Sequence, residues 1–178
     1  MAGGLFLLCL LSALPSACER NASGTESDVG AKGDPVLART FTSPEELARE
    51  VLGAIEREDV ETLKALPLSK DEFRLYVWPK LPSSRPERNV PMEYVWKTLQ
   101  QKSVGSIARN FGRYKGRKLE LLEIEFEGET TDYGTFQVHR DARLRVRDRE
   151  TNEEGWLDLF GSVMERQGKY KLFSYVTD

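Results

Sequence analysis

Hydrophobic and polar positions divide this chain into a helical first half and a strand-like second half. From residue 41 to residue 112, apolar side chains recur at intervals of three and four, the repeat of an amphipathic helix. From residue 119 onward they alternate with polar side chains, as in half-buried strands. The pattern predicts one α+β domain over residues 41–178, with N-terminal helices packed on a curved four-stranded antiparallel meander sheet.

Capping residues predict where the first helices begin. Ser43 is followed three residues later by Glu46, and Ser69 is followed at the same distance by Glu72. This spacing is typical of a capping box, in which serine and glutamate each accept a hydrogen bond from the other's backbone amide. Asp59 is predicted to cap a short helix between these two. Three helices are therefore expected before residue 79.

Prolines interrupt the helical pattern between residues 79 and 91, at positions 79, 82, 86 and 91. Proline lacks a backbone donor, so this stretch is predicted to form neither a helix nor a central strand. We expect a surface loop there, with a lid over a pocket as one role. One long helix is predicted to follow, over residues 91–111, and to end at Gly112.

Four strands are predicted in the second half, over residues 119–126, 135–146, 156–164 and 170–176. Gln167 and Gly168 have the composition of a two-residue hairpin loop between the last two. In the second strand, alternation predicts His139 on the polar face and Arg140 on the apolar face. If the first hairpin turns tightly, Glu120 lies opposite Arg140 and pairs with it.

An uncharged apolar segment over residues 5–14 stands near the N-terminus. It is shorter than the roughly 20 residues that a membrane-spanning helix needs, and it has the length of a signal-peptide core. We predict a signal peptide over residues 1–17. A buried N-terminal helix is an alternative that Pro15 disfavours.

The residues Ser16-Ala17-Cys18 that end this segment resemble the lipobox of bacterial lipoproteins. The resemblance implies that Cys18 carries a fatty acyl chain such as palmitate, becomes the mature N-terminus and anchors the protein in a lipid bilayer. In that family an aspartate after the cysteine marks inner-membrane retention, so Glu19 implies the outer membrane of the cell envelope. The alternative is a soluble secreted or periplasmic protein. Residues 18–40 are polar and small, which predicts a flexible tether.

Composition excludes several classes of function. The two cysteines, Cys9 and Cys18, both precede the predicted domain, and His139 is the one histidine. A disulfide, a thiolate nucleophile, a cysteine-ligated zinc and a histidine metal cluster are therefore not expected in the domain, and no cofactor is predicted. The 26 basic and 29 acidic residues give a net charge of −3, which disfavours nucleic acid as a partner.

The predicted order of helices, proline-rich segment, long helix and antiparallel strands resembles the cystatin-like and nuclear-transport-factor-like folds. Residues 56–63 are the one segment whose local sequence resembles these folds. The resemblance implies a fold that hosts pockets, homodimers and, in some relatives, isomerases or dehydratases that use His and Asp. Fold likeness alone transfers no function.

Titratable residues supply the candidate chemistry. Arg140 on an apolar face must be ion-paired, or it holds a carboxylate or phosphate at the mouth of a pocket. His139 with Asp141 has the chemistry of an acid and a base, although a solvated histidine is the preferred interpretation. Asp158, among apolar neighbours, is the one carboxylate to test as a base.

Aromatic side chains give the last two strands a second apolar face, formed by Trp156, Phe160, Phe173 and Tyr175. Such a face needs a second layer, a partner or a ligand. Homodimerisation, a pocket closed by the proline-rich loop, and coverage by loops of the same chain are the three explanations. On the polar face, a basic stripe is expected to be solvated and partly neutralised by neighbouring glutamates; it comprises Arg143, Arg145, Arg147 and Arg149.

The sequence thus predicts a non-catalytic lipoprotein of the bacterial envelope that binds another protein or a small apolar ligand. The candidate binding residues are Arg140, Trp156, Phe160, Phe173 and Tyr175. The alternative is an isomerase- or dehydratase-like enzyme with an apolar pocket, acting through Asp158 or His139.

Overall fold

The structure is a computed structural model that describes residues 37–177. Cys18 and the predicted signal peptide lie outside these residues. The helices are α1 (Pro44–Glu56), α2 (Val60–Ala65), α3 (Lys70–Glu72), which continues into a π-helical turn (Phe73–Val77), and α4 (Met92–Tyr114). The strands are β1 (Leu119–Phe126), β2 (Thr131–Asp132), β3 (Gln137–Arg140), β4 (Ala142–Asp148), β5 (Glu154–Leu157), β6 (Ser162–Arg166) and β7 (Lys169–Ser174).

The predicted α+β class with helices ahead of the strands is confirmed. The strands form two antiparallel sheets, one in the order β1-β4-β5 and one in the order β2-β3-β6-β7. Within residues 37–177, no helix has both the length and the apolar character that crossing a bilayer requires.

Capping residues begin the first three helices as predicted. The Ser43 hydroxyl accepts from the Glu46 amide at 3.1 Å, and Asp59 accepts from the Thr62 amide at 2.9 Å. Ser69 and Glu72 form the complete capping box. Glu46 differs, because its carboxylate accepts from the amide of Thr42 at 2.7 Å, one residue before the N-cap.

The proline-rich stretch is more ordered than predicted. It contains three short 3₁₀ turns, Trp78–Lys80, Pro82–Ser84 and Pro86–Arg88, each with proline in its first positions. Proline suits such a position, because the missing donor would have no helical partner there. Helix α4 passes through Gly112 to Tyr114, so the predicted end at Gly112 is wrong; an interior glycine costs only about 1 kcal/mol.

Two predicted strands are broken, and this changes the register. Asp141 has φ +54°, which separates β3 from β4 and moves them into different sheets. Along the chain, the β2–β3 hairpin therefore lies between β1 and β4, which pair directly with each other in the other sheet. Glu120 lies opposite Arg147 instead of Arg140, so the predicted Glu120–Arg140 pair is wrong.

Helices cover both faces of the β2-β3-β6-β7 sheet. Val163 and Leu172 belong to a first core with α1 and α2. Val138 and Met164 belong to a second core, against which Phe173 packs, with the π-helical turn and the first half of α4. The second apolar face predicted from the sequence is not a single face: Phe173 packs against the second core, Phe160 and Tyr175 are buried in the first core, and Trp156 is exposed. The predicted Gln167-Gly168 loop is confirmed, since both residues have positive φ, as a type I′ hairpin requires.

Candidate functional site

A groove of about 720 Å³ lies between α4 and the segment that joins α2 to α3. We call it the α4 groove. Its walls are residues 64–70 on one side and α4 residues from Glu93 to Ile107 on the other, and Phe173 of β7 also lines it. Its volume is within the range of small-molecule sites in proteins.

The interior of the groove is largely apolar. Leu68 and Phe173 meet Trp96 and Leu99 of α4 there, and Ile107 lines it further along the helix. Val104 also lines the groove and is 49% exposed. Covering such surface stabilises a complex by roughly 25 cal/mol per Å² of apolar area.

One face of α4 supplies most of the groove. Its lining residues recur mostly at intervals of three and four, and they are Glu93, Trp96, Lys97, Leu99, Gln100, Ser103, Val104 and Ile107. This is the spacing of a single helical stripe. Sequence periodicity predicted Trp96, Leu99 and Ile107 as inward-facing, but it did not identify Lys97 or Gln100 as their neighbours. The helical spacing could have identified both residues, because they lie on the same stripe of α4 as Trp96.

Charged side chains surround the apolar interior. Lys70 Nζ lies 2.8 Å from Glu93 Oε2, an ion pair that joins the two walls. Lys64 lines the groove and pairs at 2.7 Å with Glu61, which does not line it. Lys97 has no acidic partner within 4.0 Å among residues 37–177. The groove therefore carries an excess of positive charge.

The structure does not bring the five predicted binding residues together. Phe173 lines the groove, whereas Phe160 and Tyr175 are buried in the first core. Trp156 lies on the outer face of the other sheet, where the Arg143 guanidinium sits 5.3 Å from its ring centroid. Arg140 is exposed, and its Nε lies 3.4 Å from Thr131 Oγ1. Its predicted apolar setting is wrong, because the strand breaks at the next residue.

Tyr175 is the most constrained of these residues. Its backbone amide donates to the Ser103 hydroxyl at 3.1 Å, which ties the end of the chain to α4. Its phenol oxygen is buried and has no hydrogen-bond partner among the described residues. Burial raises the pKa of the Tyr175 phenol, so the group stays neutral in the core.

His139 is less exposed than predicted, with 18% of its side chain accessible. Its Nδ1 lies 3.0 Å from Thr130 Oγ1, and its Nε2 lies 2.9 Å from Glu165 Oε2. The ring also packs against Phe126 at 5.2 Å. The hydroxyl–imidazole–carboxylate order is that of a catalytic triad. However, none of these residues lines the α4 groove, and the nearby Gly128 amide already donates to the Arg140 carbonyl.

Asp158 and the arginine stripe lie on the outer surface of the β1-β4-β5 sheet. Asp158 is 61% exposed at its side chain and lies 3.3 Å from Arg143. Every arginine of the stripe has a carboxylate partner: Arg143–Glu127 at 2.6 Å, Arg145–Glu123 at 3.1 Å, Arg147–Glu154 at 2.7 Å and Arg149–Glu56 at 2.6 Å. The predicted solvated and neutralised stripe is confirmed. Such exposed pairs contribute about 0–1 kcal/mol each.

Lys171 and Glu72 form a buried pair that sequence analysis missed. Lys171 is 1% exposed, and its Nζ lies 3.7 Å from Glu72 Oε2. Glu72 also accepts from the Ala38 amide at 2.8 Å. Leu37 is buried in the second core, so the folded body includes residues that we predicted as tether. The sequence pattern could have predicted that Lys171 is buried, because it alternates in phase with the apolar residues Phe173 and Tyr175.

Comparison of the chain with protein-family models, with curated proteins and with solved structures finds no match. The lipobox and the cystatin-like resemblance therefore stay predictions. Within residues 37–177, no group of three or more His, Cys, Asp and Glu side chains is arranged to hold a metal ion.

Proposed function

We propose that this protein is a lipoprotein of the bacterial cell envelope, anchored through acylated Cys18, whose domain binds a small apolar ligand in the α4 groove without catalysis. The observation that carries the proposal is the groove itself. Trp96, Leu99, Ile107 and Phe173 form an apolar interior that remains open between two walls of the domain. Concave apolar surface with a few polar groups at its edge is typical of ligand sites.

The sheet surfaces of the domain favour a small ligand in the α4 groove over a protein partner. Both faces of the β2-β3-β6-β7 sheet are covered by helices, and three of the residues that the sequence offered to a partner lie in or against the two cores: Phe160, Phe173 and Tyr175. The other sheet presents paired charges instead of an apolar patch. Homodimerisation, or binding to another envelope protein, then requires a surface other than the covered face.

The enzyme alternative gains no support from the groove. A general base in an apolar pocket needs a carboxylate or imidazole near the ligand, with a pKa suited to proton transfer. Asp158 and His139 lie outside the groove, and Glu93, the carboxylate that lines it, is paired with Lys70. Binding without chemistry is the role that these contacts support.

The anchor is proposed from the sequence and complements the groove. An acylated Cys18 would hold the domain at a membrane surface, where apolar molecules concentrate. Residues 19–36 would act as a spacer between the bilayer and the folded body, which includes Leu37.

A neutral fluorescent probe tests the groove directly. The chain from residue 18 onward, with Cys18→Ser to prevent acylation, is titrated with N-phenyl-1-naphthylamine, which fluoresces in apolar surroundings. Val104→Glu places a charge in the groove at an exposed position, so the fold is retained and the affinity should fall about tenfold, the equivalent of roughly 1.4 kcal/mol.

The matched control is Gln101→Glu, which introduces the same charge at an exposed position of α4 outside the groove. Its affinity for the probe should equal that of the parent chain. Absence of probe binding, or equal weakening by both variants, would contradict the proposal.

A further inference from the structure

The positive charge of the α4 groove is concentrated on Lys97. Lys64 and Lys70 each have a carboxylate partner, whereas Lys97 has none within 4.0 Å in the described part of the chain. Lys97 is exposed, and it lines the groove together with its chain neighbour Trp96 and with Gln100, about one turn further on. An anion bound at Lys97 would form a charge-assisted contact with it.

The groove is also long and polarised. The stripe from Glu93 to Ile107 spans fifteen residues, and its ends lie about 21 Å apart along the helix at a rise of 1.5 Å per residue. Its charged members, Glu93 and Lys97, lie in the first turns of α4, and its aliphatic members, Val104 and Ile107, lie further along. A compact ligand would leave part of this track uncovered, whereas an extended chain would follow it.

We propose that the ligand of the α4 groove is a single-chain amphiphile with an anionic head group. Its acyl chain lies along α4 against Trp96, Val104 and Ile107, and its head group pairs with Lys97. This inference rests on the proposed function and adds the chemical class of the ligand. A free fatty acid and an anionic lysophospholipid share this chemistry.

The proposal gives distinct roles to the residues of the two walls. Phe173 and Leu68 supply apolar contact opposite α4. The Lys70–Glu93 pair holds the walls together near the head group and adds no net charge. Lys97 therefore determines whether a head group is accepted as an anion or as a neutral group.

Displacement of the neutral probe separates chain binding from head-group binding. Hexadecanoate, lysophosphatidylglycerol and hexadecan-1-ol are each added below their aggregation limits to the Cys18→Ser chain loaded with N-phenyl-1-naphthylamine. At least one of the two anions should displace the probe. The anion that does so identifies the ligand as a free fatty acid or as a lysophospholipid. Hexadecan-1-ol should displace it about tenfold less effectively than that anion, because it lacks the charge-assisted contact.

Lys97→Glu should weaken displacement by the anion about ten times more than it weakens binding of the neutral probe. Lys102→Glu is the matched control, because it makes the same charge change at an exposed position of α4 that does not line the groove. It should leave both affinities as they are in the parent chain.

Three results would overturn the inference while leaving the proposed function intact: displacement by neither anion, displacement by hexadecan-1-ol that is as effective as displacement by the anion, or equal weakening by Lys97→Glu and Lys102→Glu. Loss of probe binding in the parent chain would instead overturn the proposed function. The two failures are therefore distinguishable.

Discussion

Lys171 Nζ donates a hydrogen bond of 2.7 Å to the carbonyl oxygen of Ala38, although 133 positions separate the two residues. The contact fastens the first described residues to the last strand, next to Glu72, the last residue of α3. In a tethered protein, this is where the spacer joins the folded body. Burial lowers the pKa of the Lys171 ammonium, and the Glu72 carboxylate opposes that effect.

Removing the Lys171 ammonium should destabilise the domain. In Lys171→Met, the Ala38 carbonyl loses its donor and the buried Glu72 carboxylate loses its cation, so the free energy of unfolding should fall by about 3 kcal/mol. Urea unfolding measures the change. Lys169→Met, at an exposed position of the same strand, is the control and should stay within about 0.5 kcal/mol of the parent. Equal midpoints for the two variants would contradict this interpretation.

Gly161 should not tolerate a side chain. A Cβ at this position would lie 1.6 Å from the backbone oxygen of Val176, so the chain would have to move. Gly161→Ala should therefore lower the free energy of unfolding by about 3 kcal/mol. A Cβ at Gly155 meets no atom within 4 Å, and Gly155→Ala should leave stability unchanged or slightly higher. Thermal unfolding of both variants distinguishes close packing from a general glycine effect.

Asp148 should make the domain sensitive to acid. Its carboxylate accepts from the Glu150 amide at 2.8 Å and from Arg117 at 2.6 Å, and these bonds lower the pKa of Asp148 from 3.8. A carboxyl group with a lowered pKa in the folded state stabilises the fold above its unfolded-state pKa. That contribution disappears as the pH falls through the folded-state pKa.

The expected result is that Asp148→Asn loses less stability than the parent chain between about pH 5 and about pH 2. The variant should also be less stable than the parent at neutral pH, because it lacks the charged acceptor for Arg117. Urea midpoints across this pH range test the prediction. An identical acid-induced loss in the two chains would show that Asp148 does not contribute.

Cys18 should carry the lipid. Cells that express the full chain with a radioactive fatty acid should yield labelled protein in the membrane fraction. Cys18→Ser should abolish the label, because an acyl chain needs the sulfur. Cys9→Ser keeps Cys18 and serves as the control, with labelling retained. Equal labelling of the Cys18→Ser and parent chains would contradict the anchor.

Local signals in the sequence predicted the helices well, whereas long-range packing did not follow from it. Ser43 and Ser69 cap helices through bonds three residues away, so their effect is readable along the chain. The break occurs at Asp141, which has a positive φ, and hydrophobic alternation alone did not predict it. One such break altered the register of β1 and reversed the expected environment of Arg140.

The candidate site was predictable only in part, for the same reason. Alternation placed Phe173 and Tyr175 on one face of a strand, but a face says nothing about which helix covers each side chain. The structure buries Tyr175 in the first core and leaves Phe173 at the groove. Residues 64–70 lie across the groove from the α4 stripe that contains Lys97. This proximity is set by tertiary packing, so Lys97 could not be predicted as a site residue from the sequence.

Ligand-induced shifts in the ¹H–¹⁵N spectrum of the Cys18→Ser chain from residue 18 onward test the central claim most directly. On addition of N-phenyl-1-naphthylamine, the largest amide shifts should fall in residues 64–70 and 93–107 and at Phe173, the residues that form the α4 groove. Shifts confined to the outer face of the β1-β4-β5 sheet, or no shifts at saturating ligand, would contradict the account.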